Sequence, residues 1–190
     1  MNHIKILFLA IAFIFALTAC SSDEPTPNTT DGLVDGWRYH GERMKLRMQQ
    51  NRFFVIPHDK DRYNELDEMT AARPELGSRF SDEAFVVTDA SLIGKNDYFS
   101  YVYYPENGNE DDYMIPLPEI VVKLKEGHSE DELLDKFSKL SVKNQRSYNT
   151  VSFYCNLKSS VKVIELCEKI HKTGIVEWSE PNCYMNFHLN

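Results

Sequence analysis

The apolar positions in the second half of the chain change period in a regular order. Ile120, Val122 and Leu124 alternate with Val121, Lys123 and Lys125, which predicts a half-buried strand closed by Gly127. Ser129 with Glu132 three residues on forms a capping box, and Leu133, Leu134, Phe137 and Leu140 then mark one helical face. A weak strand is expected over residues 142–146 and a stronger one over 150–157. A second helix then starts at Ser159 or Ser160, buries Val163, Ile164, Cys167 and Ile170 and stops at Gly174, with Lys169 and Lys172 placed to favour the helix dipole. A last strand is expected over residues 175–178. The order β-α-β-β-α-β is the split βαβ arrangement of a ferredoxin-like antiparallel sheet with both helices on one face, an α+β fold.

Residues 36–117 are richer in aromatics and strand formers, which predicts a smaller β-rich α+β domain. Trp37 to Tyr39, a turn at His40 and Gly41, and residues 43–48 read as a hairpin, with residues 52–56 as a further strand ending at Pro57. Tyr63, Leu66, Met69 and Ala72, spaced by three, suit a surface helix that ends before Pro74. Residues 85–88 and 98–104 read as strands. Pro105, Glu106, Asn107, Gly108 and Asn109 form a strong turn signal, from which residues 113–117 return.

The first 19 residues follow a different pattern. Lys5 precedes twelve uninterrupted apolar residues, Ile6 through Leu17, a signal-peptide core too short to span a membrane as a stable helix. Leu17, Thr18, Ala19 and Cys20 resemble the bacterial lipobox, which makes Cys20 the expected lipid anchor; two or three acyl chains hold a membrane far more firmly than one. Asp23 and Glu24 follow at once and look like the acidic export tag of Bacteroidetes surface lipoproteins, so the expected location is the outer membrane or cell surface. Residues 20–35 read as a polar tether with nothing to bury.

Composition narrows the function. With 190 residues, 42% hydrophobic and 26% charged, the chain is globular but too short for a large enzyme. Its 21 Lys and Arg stand against 29 Asp and Glu, a net charge of −8, which argues against nucleic acid as a partner and against electrostatic attachment to anionic headgroups. Three cysteines remain beyond Cys20. Cys155 is in phase with the apolar residues of its strand and Cys167 with those of its helix, which reads as buried thiols, although a bridge between the two remains open. Cys167 and His171 have metal-ligand spacing, but no second pair completes a tetrahedral set, and the acidic stretches 59–61 and 106–112 lack the ligand order of a calcium loop. No Gly-rich phosphate loop, HExxH pair or GxSxG elbow occurs. No cofactor, metal or catalytic residue is therefore expected, and the chain does not read as an enzyme.

The run Ile120, Val121, Val122, Lys123, Leu124, Lys125, Glu126, Gly127, then Val151, Ser152, Phe153 and Tyr154, and the closing Val176, Glu177, Trp178, Ser179, Glu180, Pro181 and Asn182, together resemble the propeptide domain of subtilisin-like serine proteases. The likeness covers residues 118–190, with 118–182 as the domain and 183–190 as an extended tail. The stretch from Trp37 to Leu46 gives residues 36–117 a weaker likeness to the extra domain that precedes such propeptides in large Bacteroidetes subtilases. The resemblance implies an inhibitor or folding assistant of a subtilisin-like serine protease. Its sheet docks on the enzyme and its tail, Cys183, Tyr184, Met185, Asn186, Phe187, His188, Leu189 and Asn190, lies in the cleft, where an added strand gains main-chain hydrogen bonds. Phe187 and Leu189 are candidates for the primary specificity pocket, and Tyr184 or Met185 for the hydrophobic pocket upstream. Glu177 and Glu180 either face helix N-termini of the enzyme or are solvated surface acids. Only eight residues follow Asn182, too few for a catalytic domain. The alternative is a non-inhibitory cell-surface module that binds a protein or glycan, for which Tyr101, Tyr103 and Tyr104 are candidate contacts.

Overall fold

A computed structural model describes residues 32–186 apart from 40–41, 107–110 and 148. It is an α+β fold with an antiparallel sheet. The strands are β1 (Gly32–Tyr39), β2 (Glu42–Ile56), β3 (Gly77–Arg79), β4 (Phe85–Val87), β5 (Tyr98–Pro105), β6 (Tyr113–Leu124), β7 (Leu140–Ser147), β8 (Thr150–Cys155) and β9 (Val176–Asn186). The helices are α1 (Lys60–Ala72), α2 (Glu130–Lys136) and α3 (Ser160–His171). The sheet runs β3-β4-β2-β5-β6-β8-β7, with β1 added to β2 and β9 to β6. Among the described residues no helix is long and apolar enough to cross a membrane.

Local chemistry sets the helix ends. Asp59 caps α1 by accepting the Arg62 amide at 2.8 Å. The capping box of α2 closes with the Ser129 amide donating to Glu132 Oε1 at 3.1 Å. Ser159 caps α3, and the chain leaves that helix through Gly174 at φ 78°, a left-handed conformation that favours glycine.

The elements of the second half pack as one layer of helix on one layer of sheet. Ile120, Val122 and Leu124 of β6 and Val151, Phe153 and Cys155 of β8 join Leu133 of α2 and Val163, Leu166, Cys167 and Ile170 of α3 in one buried cluster. Both helices therefore cover the same sheet face. Here β9 pairs with β6, β6 with β8 and β8 with β7, all antiparallel. In the first half α1 lays Leu66 over Phe53, Val55, Phe85 and Val87, and the same cluster takes Val161 and Ile164 from α3. Thus α3 packs against both halves. The Trp37 ring meets Tyr103 edge-on at 5.4 Å, and Tyr101 and Tyr103 are 4% and 3% exposed, so these two are core rather than contacts for a ligand.

Five expectations change. The stretch read as a tether over 20–35 overlaps β1, which starts at Gly32. The helical face read through Leu140 ends at Lys136, and Leu140 begins β7. The strands read over 43–48 and 52–56 are one strand, β2, with an irregularity between Gln49 and Phe53 where its register with β5 shifts. β6 runs through the boundary placed between Leu117 and Pro118, so the two halves share a strand. The last strand does not stop at Trp178. It continues to Asn186, pairing Cys183, Tyr184, Met185 and Asn186 with Pro116, Ile115, Met114 and Tyr113. Those four residues are sheet, not free tail, because the early part of β6 offers them an edge.

The prolines of β6 explain its irregular course. Pro116 and Pro118 have no N–H to give to a ladder. The register with β9 slips between Pro116 and Ile120, and pairing with β5 contracts to Tyr103 opposite Met114. Tyr98 Oη donates to the Pro116 carbonyl at 2.7 Å and so satisfies an acceptor at the break. The β5 backbone at Phe99 turns instead to the segment before α3, its amide donating to the Lys158 carbonyl at 2.9 Å.

Two outcomes follow from this packing. Phe153→Ala, at a side chain with no exposed surface under both helices, is expected to cost about 3–5 kcal/mol in urea unfolding. A fragment of residues 118–190 leaves 183–186 without their partners on β6, and its thermal midpoint is expected well below that of the whole chain; equal midpoints would mean that the halves are energetically independent.

Candidate functional site

The sheet face opposite α2 and α3 is the candidate site. Ile120 and Val122 point toward the helices, so Glu119, Val121 and Lys123 point away, as does Ser152, which pairs with Val121. Among the described residues no helix lies on this face of β6, β8 and β9. A polar line crosses it. Glu119, at the break in β6, is buried with its side chain 11% exposed; Lys143 Nζ of β7 lies 2.5 Å from its Oε1, and Asn182 Nδ2 of β9 donates to its Oε2 at 2.8 Å. The Lys143 ammonium also sits 5.0 Å from the centroid of the Tyr154 ring on β8, a cation–π contact. One carboxylate thus ties three strands, and the Tyr154 ring above them is 48% exposed. A buried carboxylate holding two donors sets geometry more than it adds net stability.

The residues expected from the sequence fall partly here. Glu177 is exposed and pairs with Lys123 at 2.8 Å, an ion pair within the chain. Glu180 is half-buried opposite Val121. Tyr184 and Met185 are exposed at 48% and 42%, but the Tyr184 ring packs edge-on against Phe80 at 4.8 Å, and Asn186 Nδ2 donates to the Asp111 carbonyl at 3.1 Å. These contacts hold 184 and 186 against the first half of the fold. Cys20, Phe187, His188, Leu189 and Asn190 lie outside the described residues. Glu119, Lys143, Tyr154 and Asn182 escaped sequence reading; Glu119 had one signal, an acid between Pro118 and an unbroken apolar run.

A second polar cluster joins the start of α1 to the start of β5. The Asp97 carboxylate has no exposed surface and receives His58 Nδ1 at 3.0 Å, the His58 amide at 3.3 Å, Arg62 Nε at 3.1 Å and the Gly94 amide at 2.8 Å. Burial drives this carboxyl up, but the bonds from His58, Arg62 and Gly94 outweigh it and hold the group below its ordinary range. A carboxylate on a histidine Nδ1 is also how a general base is oriented. Here the other ring nitrogen faces Asp59 at 2.9 Å, and among the described residues no hydroxyl or thiol bonds to His58. The cluster is a clasp: it fixes the 94–97 turn on α1, and Arg62 extends it to the Leu92 carbonyl and Glu65.

The thiols are equally ill suited to nucleophilic work. Cys155, Cys167 and Cys183 are free. Burial, with a smaller push from Glu119, raises Cys155 to about 12. Burial raises Cys167 and Cys183 as well, so all three stay protonated at neutral pH. Among the described residues no group of three or more His, Cys, Asp or Glu could hold a metal.

The clasp predicts an acid-sensitive term. Folded Asp97 loses its proton at lower pH than it does unfolded, so its contribution is complete above the unfolded value of about 3.9 and is lost as pH falls through the folded one. Asp97→Ala is expected to cost about 3 kcal/mol at pH 7 and to flatten the acid limb of stability against pH. Gly94→Ala should destabilise and flatten that limb only in part, because its methyl would meet Asp97 Oδ2 at 2.7 Å and Arg62 Nε at 3.1 Å and disturb two of the bonds to the carboxylate while leaving the His58 bonds. Urea unfolding between pH 2 and 7 separates the two.

Compared with known proteins, the chain matches no family model, no curated protein and no solved structure.

Proposed function

We propose that the chain is a lipid-anchored, non-catalytic protein-binding module that docks through the face of β6, β8 and β9 opposite its helices, and that its partner is a subtilisin-like serine protease. The order β9-β6-β8-β7 with α2 and α3 on one side supports reading residues 113–186 as a ferredoxin-like split βαβ unit. The observation that carries the docking reading is the other side of that unit. It bears an exposed aromatic, Tyr154, over a pre-organised Glu119, Lys143 and Asn182 network, beside the buried Val121 and Ser152. Rigid aromatics beside satisfied polar groups are what protein-binding surfaces use. The protease class rests on the resemblance of residues 118–190, and anchorage at the outer membrane or cell surface rests on the lipobox at Cys20 and the acids after it.

The course of β9 bears on the mode of action. For residues 183–186 to enter a cleft they would have to leave β6 and detach Tyr184 from Phe80, at a cost of about 1 kcal/mol for each hydrogen bond broken. This favours docking as a folding assistant or tether, with at most residues 187–190 reaching the active site. The same pairing is the specific observation behind a second reading, a surface module that binds a different protein or a glycan without inhibiting anything.

The test is biolayer interferometry and progress curves with a panel of subtilisin-like proteases, including those of the source organism. We expect saturable binding that weakens at least tenfold in a Tyr154→Ala variant, whose side chain is half exposed, and changes less than threefold when residues 187–190 are removed. Slow-tight inhibition abolished by that removal would restore the cleft mechanism. Absence of binding across the panel would overturn the protease partner and leave the second reading.

A further inference from the structure

On the helical side of the molecule, away from the proposed docking face, a cavity of about 410 Å³ opens between the end of α2 and one face of α3. Four lysines line it: Lys136 and Lys139 at the end of α2 and just beyond it, and Lys162 and Lys169 on α3. Phe137, Leu157 and Leu166 supply apolar surface between them. Glu165 is the one acid in the lining, and it is engaged by Lys162 at 3.3 Å. Lys136, Lys139 and Lys169 make no ion pair with a described residue. In a chain with 29 acids against 21 bases, this is a local inversion of charge. Lys136 also acts on Glu132 one turn before it on α2, but the four ammonium groups outnumber the single acid of the lining, so an anion that enters the cleft gains net attraction.

We propose that this cleft is a second binding site, and that its occupant is an acidic peptide segment of a partner protein, with carboxylates on the lysines and one apolar side chain on the Phe137, Leu157 and Leu166 surface. The shape and the surroundings select that occupant. The two helices also carry Glu130, Asp131, Glu132, Asp135 and Glu168, and the chain as a whole has 29 acids against 21 bases, so a short acidic segment matches the cleft better than a nucleic acid or long polyanion does. A lipid surface is flat, whereas these lysines line a recess. The apolar portion has no use for a free inorganic anion but suits a leucine or phenylalanine side chain. Because the site lies across the sheet from Tyr154, both surfaces can be filled at once, and this proposal stands whether or not the protease reading does.

The experiment uses the purified chain and a fluorescein-labelled peptide of four glutamates around a central leucine, followed by fluorescence anisotropy. We expect saturable binding that weakens at least tenfold between 50 and 300 mM salt, as screening shortens the reach of the lysines. It should be lost when glutamine replaces the glutamates, and reduced several-fold when glycine replaces the leucine. A Lys136→Gln, Lys169→Gln double variant should lose most of the binding with little change in thermal midpoint; both side chains are exposed, and glutamine puts no negative charge at either helix C-terminus. Tyr154→Ala, at an exposed ring on the other side of the sheet, should bind the peptide unchanged, which keeps this site separate from the sheet face. The proposal is overturned if the glutamine peptide binds equally well or if the lysine variant retains affinity. It is also overturned if phosphatidylglycerol vesicles bind the chain at these lysines while the peptide does not.

Discussion

The structure depends on one strand that cannot pair regularly along its length. β6 belongs to both halves of the fold: its first residues lie between β5 and β9, and its later ones between β8 and β9. Pro116 and Pro118 remove two donors at the crossover, which lets the chain bend and change neighbours without stranding N–H groups. The consequences spread outward. β5 loses β6 as a partner and pairs at Phe99 with the segment before α3, while α3 is drawn across the seam, burying Val163, Cys167 and Ile170 on one side and Ile164 on the other.

The same break produces the polar site. Glu119 falls where β9 loses register, so its carboxylate is not committed to a neighbouring residue on its own strand and can take Lys143 from β7 and Asn182 from β9. A strand with uninterrupted pairing would offer no such gap. The irregularity thus ties the outer strands to the middle of the sheet under the exposed Tyr154 ring. On the reverse side, where α2 and α3 lie over the core, their ends leave a lysine-lined cleft whose charge opposes that of the chain as a whole. The two surfaces have different chemistry because they belong to different layers: the sheet side presents an aromatic ring and satisfied polar groups, the helix side a cleft where lysines outnumber acids.

How much was legible in the sequence varies with the range of the interaction responsible. The helices around Leu66, Leu133 and Val163, the caps at Ser129 and Ser159, and the strands over Ile120 and Phe153 all follow from patterns within a few residues. The continuity of β2 past Arg52 and of β6 past Leu117 did not, because a polar residue or a proline reads locally as an end while partners on both sides can carry a strand through it. Asp97 lies in a polar turn with nothing nearby in sequence to mark it as buried; besides the Gly94 amide, its donors come from His58 and Arg62, 39 and 35 residues away.

By itself, then, the sequence determined the periods, the caps and the order of the elements, since these arise from steric and hydrogen-bonding preferences between near neighbours. It also determined the acidic balance and the unbroken apolar run from Ile6 to Leu17. Only the tertiary structure decided that residues 183–186 complete a strand rather than hang free, that Glu119, Lys143 and Asn182 converge, and that lysines from two helices share one cleft. The physical reason is the same in each case. Whether a strand end is paired, or a charge partnered, depends on which distant segment the packing brings beside it, and local periodicity carries no record of that segment.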